Sequence, residues 1–190
     1  MITGALKVLF AAIGLAGLIG GVTILTGAYN VAATEPHYAI TVSLFSAARD
    51  RAIAVRAKEM TQPTGWLERA DLKKGFRSYH DMCVVCHAAP GLKDSVVRRG
   101  LNPEPPRLTD DRVQQRTDAE LFWIIKHGIK MSGMPAFGPT HTDEEIWDVA
   151  AFLRRLASMQ PADYQDTLKQ AAWSTPYDPS SHGHRSEGSP

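Results

Sequence analysis

Five residues constrain this chain more than any others. Cys83-Val84-Val85-Cys86-His87 sets two thiols three positions apart, with an imidazole beside the second. These are the only 2 cysteines among the 190 residues. A zinc centre needs about four ligands, so the missing second cysteine pair argues against one. A local disulfide and coincidence are the other bland readings, and a chance match is expected in about one chain in a thousand at ordinary residue frequencies. Two thiols at this spacing can each bond one vinyl group of the same porphyrin, and the adjacent His then stands beneath the iron. The motif predicts one covalently attached haem c, with Cys83 and Cys86 as the links and His87 as the proximal ligand.

The N-terminus carries the second signal. Val8 to Tyr29 is free of charge and rich in Leu, Ile, Val, Ala and Gly. As a helix, these roughly 22 residues span about 33 Å, enough for a bilayer core. Val31-Ala32-Ala33 resembles a small-residue cleavage site, so a removed signal peptide competes with a retained anchor. The apolar stretch is long for a signal sequence, and the retained anchor over residues 1–33 is the preferred expectation. Gly17 and Gly21 make a Gly-x-x-x-Gly face that would let another helix approach closely. Lys7 precedes the span, whereas Arg49, Arg51, Arg56 and Lys58 follow it. The positive-inside rule would therefore leave the C-terminal side in the cytoplasm. Haem attachment to this motif argues for the periplasmic side, and the basic residues stand at the limit of the rule's range. The expected location is the bacterial inner membrane, single-pass, with the haem domain in the periplasm. The formal net charge of +1 excludes the basic stripe of a nucleic-acid binder.

The remaining pattern is helical. Thr34-Glu35-Pro36 reads as a helix start, and Tyr38, Val42, Phe45, Ala48, Ala52 and Val55 follow at steps of three and four. This amphipathic segment suits a lipid interface, a partner subunit or the domain after it, and with its linker it fills residues 34–64. A helix is expected from Trp66 to Met82, its stripe of Leu72, Gly75, Phe76 and Tyr79 leading into Cys83. Pro90-Gly91, Gly100 and Pro103-Glu104-Pro105-Pro106 exclude a continuous helix after His87. Capping boxes at Thr117–Glu120 and Thr142–Glu145 open two more helices. A short helix from Ala162 to Trp173 and a disordered tail complete residues 161–190. The fold class is all-α.

A low-spin electron-transfer haem needs a second axial ligand. The loop Gly128–Gly138 offers two soft thioethers, Met131 and Met134, and spacing does not choose between them. Residues 72–157 resemble a class I cytochrome c domain. Gly75, Tyr79 and Cys83 stand at the family's Gly, aromatic and first haem-Cys positions. Val149 and Phe152 match the residues where its terminal helix crosses that Gly, and Pro106-Arg107-Leu108 matches its Pro-x-Leu element. The resemblance implies that the Pro106 carbonyl accepts a hydrogen bond from the outer ring N–H of His87, that Leu108 packs on the haem, and that Met134, the Met before Pro, is the distal ligand. It implies a cytochrome c domain over residues 65–160 behind an N-terminal transmembrane helix, similar to membrane-tethered cytochromes c of bacteria.

Electron transfer is the expected function, with iron and haem c as the centre and a redox protein as donor and as acceptor. The protein is expected to be a carrier and not an enzyme. One alternative is an integral haem c subunit of a larger membrane oxidoreductase or terminal oxidase, with a membrane-subunit partner. Another is a haem-based sensor or peroxidase-like protein, which would need an open distal site. The Lys126, Lys130, Arg98, Arg99 and Arg107 charges read as solvated surface. Trp123 and Trp147 read as packing residues rather than propionate partners, and an Arg107–propionate pair is the minor reading. His182-Gly183-His184 reads as incidental histidines in the tail, and His80 has no assigned partner.

Overall fold

The computed structural model describes residues 2–171, and the His182-Gly183-His184 stretch and the tail lie outside the described residues. Among the described residues every regular element is helical. The chain divides into two compact units, residues 1–36 and the residues from His37 onward.

The first unit is helix α1 (Ile2–Thr26). Its segment Thr3–Thr26 has a mean hydropathy of 2.4 and is long and apolar enough to cross a membrane. Such a helix is compatible with a membrane anchor or a signal sequence. The hydroxyls of Thr23 and Thr26 donate to the carbonyls of Ile19 and Val22, at 2.8 and 2.7 Å. Back-bonding of this kind satisfies a hydroxyl without water. Gly27, at φ 65°, takes the left-handed conformation that ends the helix.

The second unit opens with α2 (Ala39–Ala57). The helix starts later than the Thr34-Glu35-Pro36 signal suggests. Pro36 biases its predecessor away from helical geometry, and Tyr38 is still extended at ψ 136°. Only its C-terminal turns pack on the domain, and Tyr38, Val42 and Phe45 of the expected apolar stripe are exposed. Ile53 and Ala57 are buried, and the Asp50 carboxylate accepts from the Arg116 guanidinium at 2.6 Å.

The expected helix from Trp66 is broken into α3 (Trp66–Arg69) and α4 (Leu72–Ser78). Asp71 causes the break: its carboxylate accepts from the backbone N–H groups of Lys73 and Lys74, at 3.0 and 3.1 Å. A short acid that caps a new helix competes with continuing the old one. After α4 the chain makes one π-turn over Tyr79–Cys83 and ends in α5 (Val84–His87). Two further turns interrupt the irregular stretch, α6 (Val96–Gly100) and α7 (Asp111–Gln114).

Both expected capping boxes form, opening α8 (Asp118–His127) and α9 (Asp143–Leu156). Each hydroxyl accepts from the third backbone N–H while the Glu carboxylate reaches back to the cap N–H. Helix α9 is the core element: Ile146, Trp147, Val149, Phe152, Leu153 and Leu156 are all buried. Each large apolar side chain buried this way contributes roughly 1.5–3 kcal/mol. Trp147 lies between Phe122, with ring centroids 4.3 Å apart, and Trp66, at 4.7 Å, which makes it a packing residue. Pro161 is the first residue of the last helix, α10 (Pro161–Gln170), whose Tyr164 is fully buried.

Helix α4 crosses α9 at Gly75. A Cβ there would stand 2.2 Å from the Asp148 carbonyl oxygen and 3.0 Å from the Phe152 Cβ, so only Gly permits this approach. Asp148 is 4% exposed and its carboxylate accepts from the Asp71 backbone N–H at 2.7 Å. Burial raises the Asp148 pKa, and that hydrogen bond acts against the rise. One side chain thus ties the start of α4 to the middle of α9.

Candidate functional site

The chain leaves the α4–α9 crossing through the π-turn and runs directly into α5, which carries His87. The His87 Nδ1–H donates to the Pro106 carbonyl across 2.8 Å. With Nδ1 protonated, Nε2 carries the lone pair. Burial lowers the His87 pKa and the Arg98 charge lowers it further, while the Pro106 hydrogen bond works the other way. The net effect favours neutral imidazole, the form that ligates a metal.

Cys83 and Cys86 lie on the same helical segment, half-buried and free of a disulfide. Burial, with Cys86 as a neighbour, pushes the Cys83 thiol up to about 12. Cys83, Leu92 and Leu108 pack against the hydrophobic core. A cleft runs along His87, lined by Tyr79, Ala89, Leu92, Arg107 and Leu108. The Tyr79 hydroxyl donates to the Ala88 carbonyl, and Ala88 adopts φ 58° directly after His87. A left-handed non-Gly residue stores local strain, and burial and this hydrogen bond hold it in place.

The Met-bearing loop is built onto the C-terminus of α8. Helix ends leave carbonyls without intrahelical partners. Here the carbonyls of Ile124, Ile125 and Lys126 accept from the N–H groups of Gly128, Phe137 and Gly138, at 2.8, 3.1 and 2.8 Å. Gly128 sits at φ 63°, and a Cβ on it would come within 2.7 Å of the Met134 carbonyl oxygen and of the Pro135 carbonyl. The Ser132 hydroxyl accepts from the Met134 N–H at 3.1 Å and donates to the Ile129 carbonyl at 2.7 Å. Met131 occupies the outer turn at φ 60° and is 94% exposed, whereas Met134 is half-buried.

Several side chains take places that the pattern did not assign. Arg107 engages Asp94 with one nitrogen on both carboxylate oxygens, at 2.8 and 3.0 Å. Lys126 pairs with Asp143 at 2.6 Å and Trp123 lies 5.0 Å from the His127 ring. His80 meets the Tyr164 hydroxyl at 2.9 Å and stacks on Phe76, with centroids 6.0 Å apart. It joins α10 to the π-turn that ends at Cys83. Arg98, which reads as a solvated charge, is 5% exposed. Ser95 caps α6 by accepting from the Arg98 N–H, which sets the start of this turn.

The group these residues suit is haem c. The fold brings together an imidazole whose outer N–H is engaged by the Pro106 carbonyl, two thiols one helical turn apart, and a glycine-bound loop carrying a thioether. Comparison with known proteins agrees. The family described as cytochrome c oxidase, cbb3-type, subunit III matches residues 70–153. Cytochrome c6 of Parathermosynechococcus lividus is 30% identical over 84 residues, covering 44% of this chain and 88% of that protein. The matched residues contain the α4–α9 crossing, the two thiols, His87 and the Met loop together, and on that ground the chain belongs to the class I c-type cytochromes, electron carriers built on haem c.

Proposed function

We propose that this protein is a membrane-tethered cytochrome that holds one haem c covalently and passes single electrons between redox partners on the periplasmic side. Cys83 and Cys86 provide the thioether links, His87 the proximal ligand and Met134 the distal one. Bound haem c supplies one-electron Fe(III)/Fe(II) cycling. The observation that carries the reading is the His87 Nδ1–H donation to the Pro106 carbonyl at 2.8 Å, which fixes the tautomer and orients Nε2. Met134 is preferred over Met131 because the latter is 94% exposed at the outer turn of the loop. Leu108 and Phe137, half-buried against the core, limit water around the site. A shell of this kind favours the less charged ferrous state.

The test is replacement of each methionine in turn. Met134→Ala should abolish the far-red Met–iron charge-transfer band of the ferric protein and open it to rapid carbon monoxide binding when reduced. Met131→Ala should leave the band in place. The reverse pattern would overturn the ligand assignment.

The apolar α1 supports tethering, which raises the effective concentration of partners confined to the same membrane. A second reading makes the chain a haem subunit of a larger membrane oxidoreductase. It is favoured by the oxidase-subunit description of the matching family and by the Gly-x-x-x-Gly spacing of Gly17 and Gly21, which lets another helix approach closely. Purification in mild detergent separates the two: a tethered carrier comes away alone, and a subunit brings stoichiometric partners. Protease added to intact spheroplasts should cut the haem domain if it faces the periplasm.

A further inference from the structure

Arg98 is the one buried cation among the described residues, at 5% exposure. Its place is set by Ser95, whose hydroxyl accepts from the Arg98 N–H at 2.9 Å and donates to the Val85 carbonyl. From there the guanidinium reaches into the proximal side of the site. One terminal nitrogen donates to two carbonyls, that of Cys86 at 3.3 Å and that of Pro105. The other pairs with the Glu104 carboxylate, and Nε lies 3.1 Å from Asp94. Burying a charge is expensive unless it is paired and hydrogen-bonded, and here two carbonyls and the Glu104 carboxylate accept hydrogen bonds while Asp94 faces Nε as an ion pair without a hydrogen bond.

The identity of the two carbonyls matters. Cys86 immediately precedes His87, and Pro105 immediately precedes Pro106. Arg98 therefore bridges the same two segments that the His87–Pro106 hydrogen bond joins, one residue upstream on each. We propose that Arg98 is a positioning residue for the proximal ligand, its guanidinium locking Cys86 to Pro105 so that the His87 Nδ1–H stays on the Pro106 carbonyl. This rests on the reading of His87 as the axial ligand. A planar guanidinium suits the role because it presents several donors in a fixed fork. An ammonium carries the same charge on one flexible point and does not hold both carbonyls along with the two carboxylates.

The experiment uses the full-length holoprotein in detergent, reduced, as wild type, Arg98→Lys and Arg98→Met. NMR measures solvent exchange of the His87 Nδ1–H and, in the same samples, of the core amides of α9. The expected result is that both variants speed exchange of the ring proton about tenfold relative to those amides. The amides serve as the reference because general loosening of the fold would speed both together. A relative acceleration of threefold or more in Arg98→Lys supports the proposal, and a smaller one overturns it, since charge alone then suffices. Arg98→Lys decides by the same threshold if Arg98→Met does not assemble. A wild-type protein without a His-ligated spectrum is a different outcome, and it overturns the ligand reading and this proposal together.

Discussion

Replacing Gly75 by Ala tests the packing that carries the site. The added Cβ would stand 2.2 Å from the Asp148 carbonyl oxygen, 2.7 Å from its carbon and 3.0 Å from the Phe152 Cβ. Ordinary contact needs about 3.5 Å, so α4 and α9 must separate by roughly 1 Å. Two of the three atoms are backbone, and no rotamer change relieves them. The same displacement stretches the Asp71–Asp148 hydrogen bond, now 2.7 Å. Overpacking of this kind costs about 1–3 kcal/mol, and the rigid contact places this case near the upper end. Ala recovers about 1 kcal/mol of helix propensity. The net destabilisation is about 2 kcal/mol, or a fall of roughly 5–8 °C in Tm for a domain of this size. Thermal unfolding followed by far-UV circular dichroism measures it. Gly100→Ala is the control, because nothing lies within 4 Å of its Cβ position. A Gly75→Ala protein as stable as wild type would refute the reasoning.

Other consequences are as specific. Gly128→Ala imposes a side chain at φ 63° and presses on the Met134–Pro135 peptide, so the far-red band should weaken and ferrous carbon monoxide binding should quicken; an unchanged spectrum would count against the loop geometry. Thr117→Ala and Thr142→Ala each remove a capping hydroxyl and should each lower stability by about 1 kcal/mol in denaturant titration, and no loss would mean the boxes are not made. Burial raises the Asp50 pKa, but hydrogen bonds and charge from Arg49 and Arg116 outweigh it and hold the carboxyl below its ordinary 3.8. Its contribution is therefore present at neutral pH and is lost as pH falls through the folded-state value. Asp50→Asn should flatten the acid limb of the stability profile below about pH 4, and identical limbs for the two proteins would refute the assignment.

Much of this protein was legible because its signals are local. A capping box needs four consecutive residues, and both boxes form where their residues stand. The Cys83–His87 motif needs five, and an apolar run long enough for a bilayer is visible as composition alone. Asp71 was equally local, yet a single acid inside a periodic stripe is outvoted when the stripe is read as one helix. The break between α3 and α4 followed from it. The π-turn at Tyr79–Cys83 has no marker in a side-chain pattern, since it depends on how the backbone closes under the buried Tyr79.

By itself, then, the sequence determined the helical class, the haem-binding signature, the apolar N-terminal helix and where the two capped helices begin. These depend on spacings of a few residues, over which chain geometry is fixed in advance. Only the tertiary structure decided which charges are buried and what they hold. Arg98 and Arg107 stand nine positions apart in one basic stretch, yet one is enclosed by two carboxylates and two carbonyls while the other pairs with Asp94 at the surface. It also decided which thioether turns outward, since Met131 and Met134 differ in exposure through the loop's hydrogen bonds to α8 and to Ser132. Burial is set by what other parts of the chain bring to a residue, and no short stretch of sequence contains that information.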